Sequence, residues 1–286
     1  MKLWGFDLVL KVCNNYLMTI LQRTLGRNYK WFYFFKYTSN RILNYKLNIF
    51  GFRVGEIFEG IFTVIIWQNI LIGKTNENAS QLITYFVIGW IISQTSRTLI
   101  FNNLPNNIAD GSLTVHLMRP QNLFQVILTR GFGTSFVTGL LTILAFPVLI
   151  IPFFNFLIWN TNPIQIIALI VTLGFSMFIR SFLQIISSSI AFWTPEYQGI
   201  VSSSELITKI LSGSLVPLYL LGNFSFIQYL PFSFGFYHPM QIYLGKYTTF
   251  QILQTFGGGL LWCLVLWVLA RLVFKAGLKR NEAVGL

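Results

Sequence analysis

The side chains of this chain that could perform acid–base chemistry are few and scattered. It carries only two histidines, His116 and His238, and eight acidic residues among 286. No His-Glu-x-x-His pattern, nucleophile elbow or metal-ligand spacing joins them. The topology predicted below also separates the two histidines onto opposite sides of a membrane. We therefore expect no catalytic residues, no metal site and no cofactor bound by this chain.

One short motif points towards nucleotide chemistry. Gly73-Lys74-Thr75 reproduces the end of a phosphate-binding P-loop, which needs a further glycine five residues earlier. Gln68 occupies that position, inside the end of an apolar segment rather than after a strand. We interpret the match as accidental, so any ATP that this protein uses must be hydrolysed by another polypeptide.

Two groups of charged residues have helical spacing. Arg53, Glu56 and Glu59 recur at intervals of three, and Glu205 precedes Lys209 by four. Ionisable residues within apolar helices are candidate functional residues. One interpretation is that they form neutralised pairs near the cytoplasmic headgroups and hold the helices in register. The other is that all five line a cytoplasmic vestibule or gate that couples helix movement to a partner.

The composition predicts an integral membrane protein around these charges. Apolar residues make up 54% of the chain and charged residues 10%, against about a quarter charged in soluble domains. The mean hydropathy is +0.63. Six apolar segments approach the ~20 residues that cross a bilayer: 52–73, 81–101, 127–151, 164–187, 200–220 and 252–274. We expect an all-α membrane protein with six transmembrane helices, occupying residues 51–274.

The basic residues indicate the orientation. Eight lie in residues 1–50, opposed by Asp7 alone, and four more follow residue 270. Such clusters mark cytoplasmic ends, so we expect a cytoplasmic (inner) membrane protein with both termini in the cytoplasm. Because the net charge of +12 is explained in this way, nucleic acid is not an expected partner. Residues 1–50 predict an interfacial amphipathic helix in contact with lipid, or alternatively a solvated leader, and residues 275–286 a cytoplasmic tail.

The longest polar interruption is the loop 102–122. Asp110 can cap a helix, Ser112 to Met118 can form two turns, and Pro120 ends them. We expect a short cytoplasmic helix that presents Leu113 and Leu117 as an apolar knob to a partner protein.

A second unusual segment, 221–251, precedes the last apolar segment. It is too aromatic for a free loop and too interrupted by prolines for a span. We expect two short re-entrant helices that dip into the outer leaflet. They would form an outer gate with Pro231, Phe232, Tyr237 and Pro239.

Three stretches together resemble the permease subunits of ABC-2 type transporters, in the small six-span branch. They are ADGSLTVHLMRPQN after the second segment, LPFSFGFYHPMQIYLGK before the last, and GLKRNEAVGL at the end. The resemblance extends from about Trp31 onward.

The resemblance implies a transmembrane subunit that pairs with cytosolic ABC ATPase subunits and with a second permease, as a homodimer or a heterodimer. ATP and magnesium would be bound by the ATPase. The loop after the second span would carry the coupling helix, with five residues in contact with the ATPase: Leu113, His116, Leu117, Met118 and Arg119.

The function expected from these observations is export of a hydrophobic or amphiphilic substrate, driven by ATP hydrolysis in another subunit. Two alternatives come from other classes. A secondary transporter needs an acidic or cation site near the membrane midplane, and a polytopic membrane enzyme needs converging catalytic groups.

Overall fold

The computed structural model describes residues 46–71, 79–96, 104–118, 122–218 and 226–284. Several features singled out in the sequence lie outside these ranges: the leader 1–45, the Gly73-Lys74-Thr75 motif and Arg119. The side chains of Arg53 and His116 are likewise outside the description, although their backbones lie in helices.

All regular structure in the described ranges is helical, which confirms the all-α class for that part of the chain. The α-helices are α1 (Lys46–Leu71), α2 (Ala79–Ser96), α3 (Leu104–Ala109), α4 (Leu113–Leu117), α5 (Leu123–Ile150), α6 (Pro163–Ser189), α7 (Tyr197–Ser212), α8 (Tyr237–Tyr243) and α9 (Thr249–Val284). Short 3₁₀ helices follow α5 and α6 and precede α8, at Ile151–Phe156, Ile190–Phe192 and Pro231–Gly235.

Each apolar segment of the sequence overlaps one long helix: α1, α2, α5, α6, α7 or α9. By length and composition, two stretches of the described chain can cross a membrane, Pro163–Phe192 and Thr249–Arg280. The arrangement of six spans therefore remains a prediction.

Two helix ends differ most from the predicted boundaries. Helix α7 ends at Ser212, well before residue 220, because Gly213 adopts the left-handed conformation (φ 86°) that terminates helices. Helix α9 continues to Val284 and so includes most of the predicted tail. Nothing in GLKRNEAV breaks a helix, and the next residue is Gly285.

The helices enclose two main apolar clusters. One unites α3 and α4 with the start of α5, the end of α6 and the later half of α9, through residues such as Leu104, Leu113 and Phe274. The other surrounds α2 and includes Phe236 and Met240 of the segment before α9. Phe234 of the 3₁₀ helix Pro231–Gly235 belongs to the first cluster, so the segment before α9 contributes to both.

The surface of the bundle is unlike that of a soluble protein. Large apolar side chains of α6 and α9, among them Ile167, Ile170 and Leu261, are exposed. Small hydroxyl residues such as Thr172 and Ser181 are fully buried and donate to the carbonyls of Ala168 and Met177, four residues earlier. An apolar exterior with small polar residues between helices is typical of membrane bundles.

Glycines permit two close contacts between elements. A Cβ atom added to Gly89 of α2 would lie 2.2 Å from Cζ of Phe236, and one on Gly277 of α9 would lie 2.2 Å from Cδ2 of Phe192. Both distances are far inside van der Waals contact, so these positions have no room for a larger residue. The first contact fixes the segment before α8 against α2.

Candidate functional site

A cavity of about 350 Å³ lies between α1, α2, α6, α7 and the 3₁₀ helix Pro231–Gly235. Its volume is within the range of small-molecule sites. The lining combines apolar side chains with charged ones, and includes Glu59, Trp90, Gln94, Arg180, Lys209 and Phe236.

A salt bridge between two helices lies at this cavity. Nζ of Lys209 in α7 lies 2.5 Å from Oε1 of Glu59 in α1. The pairing of Glu205 with Lys209 expected from their spacing is therefore wrong, and within the described chain Glu205 forms no salt bridge. Glu59 is at the middle of α1, and both residues belong to the cavity lining.

Trp90 and Gln94 in α2 belong to the cavity lining, and each carries a polar atom that no described residue meets in a hydrogen bond. The side chains are 9% and 7% exposed. Within the described part of the chain, the indole Nε1 of Trp90 and Oε1 of Gln94 are buried without a partner. Such groups are rare in native proteins because burial without a partner costs free energy.

Arg180 lies within the apolar helix α6 and contributes the second positive charge of the lining. Its Nη1 donates to the backbone oxygen of Ser93 at 2.7 Å. The guanidinium also lies against Gly235, where an added Cβ would be 3.2 Å from Nε. Arg180 thus links α6, the end of α2 and the 3₁₀ helix before α8.

Residues predicted for two separate gates meet at this one cavity. Glu59, Glu205 and Lys209 of the proposed vestibule line it together with Phe232 of the proposed outer gate. Glu56 is half-buried in α1 outside the lining, and the structure leaves the side chain of Arg53 undescribed.

The other outer-gate residues are buried in the segment before α9. Pro231 begins its 3₁₀ helix, and Tyr237 and Pro239 lie in the first turn of α8. The 3₁₀ helix Pro231–Gly235 and α8 occupy part of this segment, and the expected pair of re-entrant helices in the outer leaflet remains a prediction.

His238 is held between two partners in the same segment. Nε2 lies 2.8 Å from the backbone oxygen of Gln228, and Nδ1 lies 2.9 Å from the hydroxyl of Tyr247. Because a carbonyl only accepts, Nε2 carries the proton and Nδ1 accepts from Tyr247. Burial lowers the pKa of His238 to about 4, so this histidine is neutral at pH 7.

The predicted coupling loop contains two helices, α3 and α4, where the sequence predicted one. Asp110 precedes the Ser112 cap and accepts from its backbone N–H at 2.9 Å. Hydrogen bonds from the hydroxyl and backbone of Ser112 hold the pKa of Asp110 below its usual value. Asp110 therefore stabilises the turn into α4 rather than capping the helix directly.

The prediction that Leu113 and Leu117 form an exposed apolar knob is wrong for Leu113. Leu113 is 1% exposed and belongs to the core cluster with Leu104, because α4 packs back on α3 and the bundle. Leu117 is partly exposed. Val115 and Met118 are the exposed apolar residues here, Met118 at 86%.

The α3–α4 segment is hydrogen-bonded to the start of α7. The hydroxyl of Tyr197 donates to Oδ1 of Asn106 in α3 at 2.6 Å. Tyr197 is buried and begins the helix that carries Glu205 and Lys209. The segment therefore has a direct connection to a helix that lines the cavity.

Sequence reasoning did not select Trp90, Gln94 or Arg180. Arg180 had a usable signal, since a lone arginine in an apolar helix is a functional candidate. Trp90 and Gln94 share one face of α2 at i, i+4 spacing, a pattern too common to identify a site from sequence.

A model of the family described as ABC-2 family transporter protein matches residues 50–285. No curated protein and no solved structure gave a match. The matched region includes the cavity, the α3–α4 segment and the helices around them, and it confirms the resemblance seen in the three sequence stretches. The chain therefore belongs to the ABC-2 family of transporter proteins and is a membrane permease of that type.

Proposed function

We propose that this chain is the transmembrane subunit of an ATP-driven exporter and that a separate ATPase hydrolyses the ATP. The observation that carries the proposal is how the side chains of α4 are divided between the core and the surface. Leu113 anchors this helix in the core, while Val115 and Met118 remain exposed on it. An anchored helix with an exposed apolar surface suits a groove on a partner protein.

Two side-chain contacts connect the α3–α4 segment to the cavity, so a movement of α4 could be transmitted there. The Tyr197–Asn106 hydrogen bond ties the segment to α7, and Lys209 ties α7 to Glu59 of α1. In this proposal, ATP binding draws two ATPase subunits together, displaces α4 and tilts α7 relative to α1. Each state would be favoured by its own contacts, as an allosteric transition requires.

The assembly proposed here contains cytosolic ATPase subunits and a second permease, either a copy of this chain or a paralogue. It lies in the cytoplasmic membrane with both termini in the cytoplasm, and α8 and its 3₁₀ helix form the outer gate. His116, Leu117 and Arg119 would join Val115 and Met118 at the ATPase. The cavity walls favour a hydrophobic or amphiphilic substrate for export.

The test is association of the tagged full chain with an ATPase. Purification from native membranes should recover a partner with vanadate-sensitive ATP hydrolysis. Substituting both Val115→Asp and Met118→Asp should reduce its recovery at least tenfold, because two charges would enter an apolar contact. Thr161→Asp, which adds a charge to the exposed turn before α6, is the matched control.

Two outcomes contradict different parts of the proposal. Absence of any associated ATPase from the wild-type chain would contradict the exporter function. Full association of the doubly substituted chain would show that α4 is not the contact. Leu113→Asp would not discriminate, because a charge there disrupts the core.

A further inference from the structure

The exterior of α9 changes from apolar to charged near the end of the helix. Large apolar side chains are exposed from Phe250 to Leu272, a length of roughly 33 Å at about 1.5 Å per residue. This length matches the hydrocarbon core of a bilayer, about 30 Å, and the helix is one of the two stretches that can cross a membrane. In the described part of α9, no large apolar side chain after Leu272 is exposed. The boundary of the hydrocarbon should therefore lie near Leu272.

A row of positive side chains begins at this boundary. Arg271, Lys275 and Lys279 are exposed and recur at intervals of four, so they lie along one side of the helix. Arg271 and Lys275 form no salt bridge with any residue of the described chain. The one acidic residue in the sequence from 249 to 286 is Glu282, about two helical turns beyond Lys275. The first two charges of the row are therefore available to an anion from outside the chain.

The guanidinium of Arg271 is held by an aromatic ring. Its Cζ lies 5.4 Å from the centroid of the Trp267 ring, a distance at which a cation is attracted to the face of an indole. Trp267 is one turn earlier in α9 and 39% exposed, and tryptophan is enriched at the level of the headgroups. A guanidinium positioned in this way presents a planar pair of donors, which fits two oxygens of a phosphate.

Lys275 adds a second positive charge one turn further along. Because the Cα–Cβ bonds of a helix tilt towards its N-terminus, the side chain of Lys275 starts in the direction of Arg271 and of the membrane. Exposed apolar side chains, Val268 and Leu272, lie on the same exterior of α9. The surface thus combines two cations at headgroup depth with an apolar surface beside them, which complements a phosphate attached to acyl chains.

We infer that Arg271 and Lys275 bind the phosphate of an anionic phospholipid, that Trp267 positions Arg271, and that the acyl chains lie against Val268 and Leu272. A zwitterionic phospholipid carries an amine next to its phosphate, which the same two cations repel. The site should therefore select lipids by their net negative charge. The proposed orientation of the chain places this lipid in the cytoplasmic leaflet.

The test measures binding of single lipid molecules to the detergent-purified full chain by native mass spectrometry. Dioleoylphosphatidylglycerol is the anionic probe, and dioleoylphosphatidylcholine, which has the same acyl chains, is the zwitterionic one. The wild type should bind the anionic lipid more tightly by about 25-fold, because each basic residue near an anionic headgroup contributes about a factor of five.

Substitutions assign the preference to the two basic residues. Arg271→Gln combined with Lys275→Gln should reduce the affinity for the anionic lipid to that for the zwitterionic lipid, whose own binding should not change. Trp267→Leu keeps both charges and should weaken the anionic lipid by about two- to fivefold, through loss of the contact that holds Arg271.

The matched control removes the same amount of charge elsewhere. Lys246→Gln combined with Arg280→Gln changes two exposed basic residues. Lys246 precedes α9, and Arg280, five residues after Lys275, lies on a different side of the helix. This variant should keep the preference of the wild type. Wild-type and substituted chains mixed in equal amounts compete for the same lipid, so their occupancies can be compared directly.

Three results overturn the inference: equal binding of the two lipids by the wild type, an unchanged preference in the Arg271 and Lys275 variant, or an equal loss in the control variant. The last would show attraction by net charge rather than a site. The comparison of two lipids on the wild type stands even if a substituted chain fails to fold. Because the assay contains no ATPase, its result is independent of the association experiment. Reduced ATPase recovery with an unchanged lipid preference would assign the basic row to the ATPase.

Discussion

The ammonium of Lys209 contacts the carboxylate of Glu59, at 2.5 Å from Oε1, and so connects α7 to α1. The two side chains are 39% and 47% exposed. Because exposed pairs are weakened by solvent, this one contributes at most about 1 kcal/mol to folding. Its interest is positional, since it joins two helices of the cavity lining.

A double-mutant cycle with Glu59→Gln and Lys209→Met should measure this interaction. We expect a coupling energy of about 0.5 kcal/mol that falls as salt is raised, because the pair is exposed. Thermal unfolding of the purified chain in detergent at low and high salt provides the measurement. A parallel cycle with Glu205→Gln and Lys209→Met should give no coupling, and equal values in the two cycles would contradict the observed pairing.

Much of the helical framework follows from the sequence. The six apolar segments predicted six long helices because burial of so many apolar residues in a chain with few charges requires lipid or a large core. The short helices around Pro231 and Tyr237 followed from aromatic residues interrupted by prolines. These are local properties, readable from neighbouring residues.

The site was harder to predict from the sequence, because it depends on which helix faces meet. Glu205 precedes Lys209 at a spacing suited to pairing, yet Lys209 forms its salt bridge with Glu59 of a helix distant in sequence. Leu113 looked like an exposed contact, and packing of α4 onto the bundle buried it. Helix α3 was missed because its asparagines favour loops, although Pro105 is tolerated in a first turn. Tertiary contacts decided each of these cases.

Gly89→Ala should destabilise the fold by about 1–3 kcal/mol, the usual cost of overpacking. The new methyl group would overlap the ring of Phe236, which is 2% exposed and cannot move aside freely. Thermal unfolding in detergent should show the loss. Gly174→Ala is the control, because its Cβ would meet nothing within 4 Å, and alanine there should be neutral or stabilising. Equal stability of the two variants would contradict the close approach.

His238 should make the stability of the chain depend on pH. Its pKa falls from 6.5 to about 4 on folding, so between these values the unfolded chain binds more protons. Stability is therefore complete above pH 6.5 and declines as the pH falls towards 4, by about 2 kcal/mol between pH 7 and pH 5.

Thermal unfolding of wild type and His238→Gln across pH 5 to 7 isolates this effect. The variant should lose the corresponding part of the pH dependence, since glutamine does not titrate. His116→Gln removes the other histidine and should keep the wild-type slope. A slope that persists in His238→Gln would show that another group is responsible.

Tyr197→Phe should loosen the α3–α4 segment without unfolding the bundle. The substitution removes the hydroxyl that donates to Asn106, a loss of about 1 kcal/mol, so local opening should become about fivefold more frequent. Hydrogen exchange of residues 104–118, followed by mass spectrometry, should accelerate accordingly, while exchange in α6 stays unchanged.

The same experiment separates this hydrogen bond from a general effect of the substitution. Asn106→Ala should produce the same acceleration, and the double variant no more than either alone, because both remove one interaction. Tyr229→Phe, at a tyrosine exposed near the 3₁₀ helix before α8, should leave residues 104–118 unaffected. Additive acceleration in the double variant would mean that Tyr197 and Asn106 act independently, and the proposed route from α4 to the cavity would lose its first connection.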